Sequence, residues 1–151
     1  MEKFPKLNLP VAELRVRQSP TNPEAMQVWD SCRKSYVTLT PEEYVRQSFI
    51  SFLVNTLGYP AGRTSVERIL MVNGQRQRAD IVVFSKDMSP FMVVECKAPS
   101  VSISQKTLDQ ALRYNTQLGV HYLVLTNGLT HYCVDMQAEK PKMVSTFPNC
   151  S

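Results

Sequence analysis

The sequence predicts an α/β fold in which helices pack on a mixed β-sheet. A capped helix start lies at residues 40–43, and short apolar runs separated by turn signals lie between residues 64 and 97. An amphipathic segment at 104–118 then precedes another apolar run at 121–126. A helix, a three-stranded meander, a second helix and a further strand give an α-β-β-β-α-β order. The chain of 151 residues is long enough for one such domain.

The N-terminal part of the chain predicts an arm followed by a hairpin. Residues 1–26 are rich in proline and form the expected arm, with a short edge strand at 11–17. Two short segments rich in aromatic and β-branched residues, at 28–30 and 36–39, flank a polar turn, which is typical of a β-hairpin. We therefore expect an arm over 1–26, the main domain over 27–137, and a weakly ordered C-terminal tail over 138–151.

The first helix has a clear start. Thr40 is the expected N-cap, Pro41 occupies the first helical position, and Glu43 completes a capping box. The helix is expected to end near Leu57, since a glycine and a proline follow. One side of the helix carries the apolar core residues Val45, Phe49, Phe52 and Leu53. Arg46 and Gln47 are expected to point away from that side, toward a phosphate or water.

Two apolar runs around residues 81–84 and 91–94 form the central hairpin. A preceding strand at 64–72 joins it through the turn dipeptide Asn73-Gly74. If the hairpin turn is centred between residues 87 and 88, Phe84 faces Phe91 and Asp80 faces Glu95. Because side chains on a strand repeat every two residues, Asp80, Glu95 and Lys97 should share one face of the sheet.

This trio is costly to place beside apolar strands. A buried charged group without a partner either shifts its pKa and becomes neutral or destabilises the fold by roughly several kcal/mol. A divalent cation would remove the repulsion between Asp80 and Glu95, and oxygen ligands of this kind suit Mg²⁺, for which Mn²⁺ can substitute. An ammonium such as Lys97 can position an attacking water or stabilise negative charge on phosphorus. The alternative is a salt-bridge network on an exposed sheet face, although opposed carboxylates argue against it.

The second helix is expected over residues 104–118, closed by Gly119. Gln110 and Tyr114 are neighbours on it, one turn apart. Its polar side carries the basic residues Lys106 and Arg113. A buried strand at 121–126 and a closing hairpin strand at 129–134 follow.

Five blocks of the sequence resemble the N-terminal nuclease domain of type I restriction enzyme R subunits, within the PD-(D/E)xK nuclease superfamily. Asp80 is followed by fourteen residues and then by Glu95-Cys96-Lys97, which resembles the D-x(n)-E-x-K signature. The blocks are PEEYVRQ at 41–47, RAD at 78–80, VECKAP at 94–99, QALRYN at 110–115 and LTNG at 125–128. The resemblance implies a restriction-endonuclease-like α-β-β-β-α-β core, here with an added N-terminal hairpin and C-terminal strand.

The resemblance also implies a function, a Mg²⁺-dependent endonuclease acting on double-stranded DNA. Asp80 and Glu95 would hold the metal, with the backbone carbonyl of Cys96 as a further ligand, and Lys97 would position or activate water. Gln110 and Tyr114 resemble the Q-x-x-x-Y motif that lies beside the active site in related nucleases. Many members also use a glutamate of the first helix at the metal site.

Several further residues are candidates for the same site. Glu43 either serves only as a helix cap or also reaches the metal. Glu67 lies beside apolar residues in its strand, and we expect a salt bridge with Arg78 ahead of a metal contact. Candidate DNA contacts are the basic residues Arg46, Arg76, Arg78, Lys106 and Arg113.

Bulk composition agrees with this interpretation without requiring it. The net charge of +4 permits a polyanionic partner. The four cysteines match no zinc spacing, and Cys96 is expected to face the buried side of its strand. We expect a cytoplasmic protein without a membrane span, because no apolar run reaches ~18 residues and no signal sequence is evident.

Type I R subunits couple their nuclease to an ATP-driven motor, and this sequence has no G-x-x-x-x-G-K-[ST] loop. We therefore expect motor or specificity subunits of a restriction system as partners, or a stand-alone relative. A different class of function stays open, a module with this fold that binds nucleic acid or a partner without turnover. Divalent-metal binding by Asp80 and Glu95 would distinguish the two.

Overall fold

The computed structural model describes residues 4–72, 74–116 and 119–150. It contains two sheets and two α-helices, in the α/β arrangement that the sequence predicts. In chain order the elements are β1 (Val16–Gln18), β2 (Met26–Asp30), β3 (Ser35–Thr38), α1 (Pro41–Ser51), β4 (Thr64–Val72), β5 (Gln75–Phe84), β6 (Pro90–Cys96), α2 (Gln105–Asn115), β7 (Tyr122–Thr126), β8 (His131–Asp135) and β9 (Lys142–Val144).

The larger sheet has six strands in the order β4-β5-β6-β7-β8-β9. All neighbouring strands are antiparallel except β6 and β7, which are parallel and connected through α2. This single crossover makes the sheet mixed, as predicted, and the α-β-β-β-α-β order is restriction-endonuclease-like. The strands β1, β2 and β3 form a separate antiparallel sheet.

The helices cover opposite faces of the larger sheet. Val45 and Phe49 of α1, and Leu53 just after it, are fully buried against one face, together with Ile81 and Val94. This confirms the predicted core side of the first helix. A second group of buried residues lies on the other face, under α2, and consists of Ala79, Val82, Val93, Leu108, Ala111, Val120, Leu123, Leu125 and Val134. In the described ranges, no helix has the length and apolar character that a membrane crossing requires.

The first helix extends about as far as predicted, with a change of helix type near its end. α1 stops at Ser51 and continues as a π-helical turn over Phe52–Thr56. The hydroxyl of Thr40 accepts a hydrogen bond from the Glu43 N–H at 3.0 Å, which confirms the N-cap. The capping box is incomplete, because the Glu43 carboxylate binds the side chains of Arg33 and Arg46 instead of the backbone N–H of Thr40. α2 is described only to residue 116, and the predicted helical residues 117 and 118 lie outside the described residues.

The predicted register of the central hairpin holds over three residue pairs. Ile81 faces Val94, and the next two residues of β5 keep the same offset. The register then shifts at residues 83 and 84, so that Phe84 faces Pro90 instead of Phe91. Met88 has a φ of +66° in the turn between the strands. Next to this irregular turn, the pairing of β5 with β6 is shifted by one residue from the predicted register.

The β4–β5 pairing is interrupted where Glu67 would face Asp80. Paired residues lie on both sides of this point, Val66 with Ile81 and Arg68 with Ala79. Glu67 has a φ of +48°, which is unusual for a residue with a side chain. Val66 and Ile81 pack under α1, whereas Ala79 packs under α2. Residues 79 and 81 of β5 therefore point to opposite faces of the sheet instead of the same face. The interruption leaves Asp80 free to turn toward α1.

The C-terminal segment is more ordered than the sequence indicates. β9 extends the larger sheet, and Phe147 packs against Phe49 and Phe52 of the core. The hydroxyl of Tyr59 donates to the carbonyl of Pro148 at 2.5 Å. The expectation of a weakly ordered tail is therefore wrong for most of residues 138–150, because a few apolar side chains anchor a polar segment.

Candidate active site

The candidate active site lies where the β5–β6 pair ends, beside the first turns of α1. Asp80 lies on β5, Glu95 lies on β6, and Lys97 follows β6 directly. Asp80 and Lys97 are both electrostatic neighbours of the Glu95 carboxyl group. The structure therefore brings the three sequence-predicted residues together at one end of the sheet.

Both carboxylate oxygens of Asp80 have a donor within the protein. The Arg46 guanidinium lies 3.1 Å from Oδ1, and the backbone N–H of Cys96 donates to Oδ2 at 2.8 Å. The Asp80 side chain is only 16% exposed. The bond from Cys96 ties Asp80 to the strand that carries Glu95, so the Asp80 carboxylate is held in place beside that strand.

Glu95 has fewer partners. Burial raises its pKa, the charges of Asp80 and Glu42 raise it further, and Lys97 acts in the opposite direction. Among the described residues, none donates a hydrogen bond to its carboxylate. Glu95 is therefore a partly buried acid whose charged form burial and two neighbouring acids disfavour, and a bound cation would stabilise that form.

Lys97 is fixed through its backbone and not through its side chain. Its N–H donates to the carbonyl of Thr126 at 2.8 Å, which ties the residue to the end of β7. Its ammonium is near enough to lower the pKa of Glu95. No ion pair joins that ammonium to a described carboxylate. The side chain is half-buried and can donate to a molecule bound at the site.

Glu42 is a residue that sequence reasoning missed. It lies in the first turn of α1 with 48% of its side chain exposed, 3.3 Å from Arg46. Its charge contributes to the raised pKa of Glu95, so it faces the same site. The sequence does contain two acids, Glu42 and Glu43, at the helix start. Acids are common there because they stabilise the helix N-terminus, so the pair did not point to the site.

Glu43 lies behind the site and not in its opening. Its carboxylate accepts hydrogen bonds from Arg33 at 2.8 Å, Arg46 at 2.6 Å and Gln47 at 3.0 Å. Its side chain is 7% exposed. Three donors already satisfy this buried charge, so the structure gives Glu43 a structural role in addition to its backbone cap.

Glu67 forms the salt bridge that the sequence predicts. Its Oε1 lies 2.5 Å from Nη2 of Arg78, and its Oε2 lies 3.3 Å from Arg33. Glu67 also lies 3.9 Å from Arg46. The residue thus connects β4 to the charged cluster behind Asp80.

The expected orientation of Arg46 and Gln47 is wrong. Both side chains are buried, with 4% and 5% of each residue exposed. The loop between β2 and β3 brings Arg33 over this side of α1, and Glu67 approaches from β4. The helix is therefore covered on a second side, where polar residues meet ion-pairing partners from other elements.

The two basic residues of β5 are exposed. Arg76 faces Met71 across the strand pair, and Arg78 faces Ile69. Arg78 is 64% exposed even though it binds Glu67. Ile69 and Met71 are 46% and 65% exposed, so this end of the β4–β5 pair presents a mixed basic and apolar surface.

The four candidate residues of α2 lie on its outer side. Tyr114 is 66% exposed, and Gln110, Lys106 and Arg113 are also exposed. Leu108 and other apolar residues on the inner side pack against the sheet. The structure therefore places these side chains in solvent, and their roles beside the active site stay predictions.

Cys96 is buried, as predicted. The thiol lies between the two site residues in sequence but on the α1 side of the sheet, 2% exposed. Burial raises its pKa well above the usual range, and Asp80 adds to the effect. A thiol that stays protonated is a poor nucleophile, so Cys96 contributes packing and its backbone groups.

The side chains present fit a hard divalent cation. Two carboxylates and a backbone carbonyl are the donor types that Mg²⁺ accepts while it keeps several waters. The raised pKa of Glu95, caused by burial and neighbouring acids, is an environment that a positive charge stabilises. In the described part of the chain, no group of three or more His, Cys, Asp or Glu residues is arranged to hold a metal. The protein would therefore supply few ligands and leave positions open.

The sequence matches the model of one known protein family. Residues 41–148 match the model of a family described as the type I restriction enzyme R protein N terminus. This range contains every residue of the candidate site described above except Arg33. No match was found among curated proteins.

Two solved structures resemble the chain. One is a fragment described as an HsdR subunit of a type I restriction enzyme from Vibrio vulnificus YJ016, with 21% identity and a TM-score of 0.52. The alignment covers 72% of this chain and 23% of that fragment. The other is a protein of the DUF820 group from Anabaena variabilis ATCC 29413, described as a nuclease, with 12% identity and a TM-score of 0.48. That alignment covers 80% of this chain and 76% of the other.

Proposed function

The chain belongs to the family of type I restriction enzyme R protein N termini, and on that premise we propose that it is a Mg²⁺-dependent DNA endonuclease domain. The observation that carries the proposal is the meeting of Asp80, Glu95 and Lys97 at one end of the sheet. Burial and neighbouring acids raise the pKa of Glu95 against the opposing effect of Lys97, and the Lys97 ammonium has no ion-pair partner among the described residues. A hydrolytic site for phosphodiesters needs these two features.

Asp80, Glu95 and the carbonyl of Cys96 would hold the cation. The bound ion would supply Lewis acidity and lower the pKa of a water molecule. Mn²⁺ can replace Mg²⁺ at oxygen ligands of this kind.

The reaction adds one water across a P–O bond. The water oxygen bonds to phosphorus as the bond to a sugar oxygen breaks, and the products are a phosphate monoester and a hydroxyl end. Lys97 can orient the attacking water or donate to a phosphoryl oxygen as negative charge develops there. Asp80 is held to β6 by the Cys96 N–H, so its carboxylate needs little reorganisation.

Contacts to the DNA backbone are proposed for the exposed basic residues. Arg76 and Arg78 lie on the strand that leads into Asp80, at ~3.3 Å per residue from it. Lys106 and Arg113 lie on the outer side of α2, together with Gln110 and Tyr114. Phosphate contacts of this type position a duplex without reading its sequence. We propose that restriction-system subunits supply specificity and motor activity.

The test compares nicking of supercoiled plasmid by wild type and Lys97→Ala in Mg²⁺ or Mn²⁺. We expect the variant to lose about 100-fold or more in rate, since one preorganised donor contributes about that much. Lys86→Ala is the matched control, because Lys86 is exposed in the β5–β6 turn at the opposite end of the hairpin. Equal nicking by wild type and Lys97→Ala, with both proteins folded by circular dichroism, would refute the assignment.

A second candidate function is binding of nucleic acid or a restriction-system partner without turnover. The observation that favours it is the ion pair between Asp80 and Arg46, which gives the acid a partner without any metal. Under this alternative no divalent ion binds through Asp80 and no variant changes nicking. A titration of wild type and Asp80→Asn with Mn²⁺ separates the two functions.

A further inference from the structure

Arg46 lies in an unusual place for an arginine. It is 4% exposed and has four carboxylates around it. Its guanidinium lies 2.6 Å from Glu43, 3.1 Å from Asp80, 3.3 Å from Glu42 and 3.9 Å from Glu67. Burial disfavours its charge, but Glu43 and Asp80 more than offset that effect and raise its pKa. The group is therefore a permanent positive charge beside the acid that the proposed metal needs.

The present position of Arg46 is not fully satisfied. Its Nε is buried and donates to no described group. A buried donor without an acceptor costs roughly 1–3 kcal/mol. The contact with Asp80 is therefore one arrangement of the guanidinium that carries a penalty of its own.

Other carboxylates are available to Arg46 if Asp80 is occupied. Glu43 is held in place by Arg33 and Gln47, so it stays as a fixed partner. Glu42 is half exposed and can move closer at little cost. Loss of the Asp80 contact would thus leave Arg46 paired.

We propose that Arg46 is the counterion of Asp80 in the metal-free protein and that a divalent cation takes its place. This inference rests on the proposed function, because it assumes that Asp80 is a metal ligand. Two positive charges cannot both approach the same carboxylate without cost. Arg46 therefore keeps the acidic site paired when empty and lowers its affinity for the metal. It acts as a positioning residue for Asp80.

The experiment measures Mn²⁺ binding to the whole chain by isothermal titration calorimetry, without DNA. Arg46→Gln removes the competing charge, and we expect binding about tenfold tighter than in wild type, since a charged hydrogen bond of this strength is lost. Arg33→Gln is the matched control, because Arg33 also binds Glu43 but has no contact with Asp80. Its affinity for Mn²⁺ should stay within about twofold of wild type, on the same conversion. Asp80→Asn should bind none.

The outcomes separate this inference from the proposed function. If wild type binds through Asp80 and Arg46→Gln binds equally or more weakly, the displacement is refuted and the metal site stands. If neither protein binds Mn²⁺, both the metal site and the displacement are refuted. If Arg46→Gln binds Mn²⁺ and wild type does not, Arg46 competes with the metal for Asp80 strongly enough to prevent its binding.

A measurement on wild type keeps the test valid if Arg46→Gln does not fold. The arginine Nε–H signals can be followed by ¹⁵N NMR during titration with Mg²⁺, which is diamagnetic, and Arg46→Lys identifies the signal. We expect the Arg46 signal to shift with metal occupancy and the Arg33 signal to move much less. An Arg46 signal that stays unchanged at saturating Mg²⁺ would overturn the proposal.

Discussion

The two acids of the candidate site have very different surroundings. Asp80 is bound by Arg46 and by the backbone of Cys96, and behind it lies a cluster of ion pairs that reaches the loop between β2 and β3 and strand β4. Glu95 has no hydrogen bond from a described residue, and its pKa is raised by burial, Asp80 and Glu42. One acid is built into the fold, whereas the other is left available.

This difference teaches how a fold can keep a reactive site stable. Buried charges are tolerated when each has a partner, and removing one partner is more costly than never having had the pair. Asp80 has a charged partner, Arg46, whereas the Glu95 carboxylate forms no ion pair with a described residue. The following experiments test whether stability and reactivity are divided in this way.

Glu43→Gln should have the largest effect on stability. Glu43 is 7% exposed and accepts from two arginines, so its neutralisation leaves buried positive charge. We expect the free energy of unfolding to fall by about 3–5 kcal/mol. Urea unfolding measures this, with Glu42→Gln as the control, because Glu42 is half exposed and should cost less than ~1 kcal/mol. Equal losses of unfolding free energy in both variants would contradict the idea that the buried ion-pair cluster carries the stability.

Asp80→Asn should have the next largest effect. Asp80 loses its ion pair with Arg46, and we expect a loss of about 1.5–3 kcal/mol in unfolding free energy, in metal-free buffer. Relief of the repulsion between the carboxylates of Asp80 and Glu95 would, by itself, stabilise the metal-free fold. The Arg46 contact reverses that expectation, so the sign of this change tests whether the ion pair contributes in solution.

Glu95→Gln should change stability less and in the opposite direction. Because the folded pKa of Glu95 is raised, the folded state holds the proton more tightly than the unfolded state. Wild-type stability is therefore expected to fall as pH rises from the ordinary value of 4.5 through the raised folded pKa. The variant should lack this fall and be more stable above that range. Unfolding curves from pH 4 to pH 7 in ~0.5 steps would show the difference between the two proteins; parallel curves would contradict the assigned pKa direction.

Arg76→Gln should leave stability unchanged and weaken DNA binding slightly. Arg76 is exposed, outside the ion-pair cluster, on the strand leading to Asp80. Loss of one phosphate contact should reduce the slope of log affinity against log salt by about 1. Fluorescence anisotropy of a labelled duplex in EDTA measures this without cleavage. Lys86→Gln removes the same charge at the other end of β5, and an equal slope change there would argue against a specific surface.

Much of the fold follows from local sequence pattern. Alternation and turn residues gave the β5–β6 register at Ile81–Val94, and Thr40 gave the start of α1. The E-x-K spacing then placed Glu95 and Lys97 correctly at the end of β6. These features depend on neighbours in sequence, which is why the sequence alone predicts them.

The surroundings of the site depend on distant contacts. A helical pattern shows that Arg46 lies outside the apolar stripe, but not that Arg33 and Glu67 cover it from other elements. The left-handed backbone at Glu67 has no glycine to signal it. The ordered C-terminal segment similarly depends on Phe147, a single aromatic anchor in a polar sequence.

The ion-pair cluster lies next to an intrinsic fluorescent probe, a tryptophan. Trp29 is the sole tryptophan, and it stacks edge-on against Tyr36 at 5.2 Å with Arg15 over its ring. It is adjacent to Asp30, which holds Arg33 against Glu43 and thus against Arg46. A shift in emission on titration would report, without a label, that events at Asp80 reach the separate N-terminal sheet.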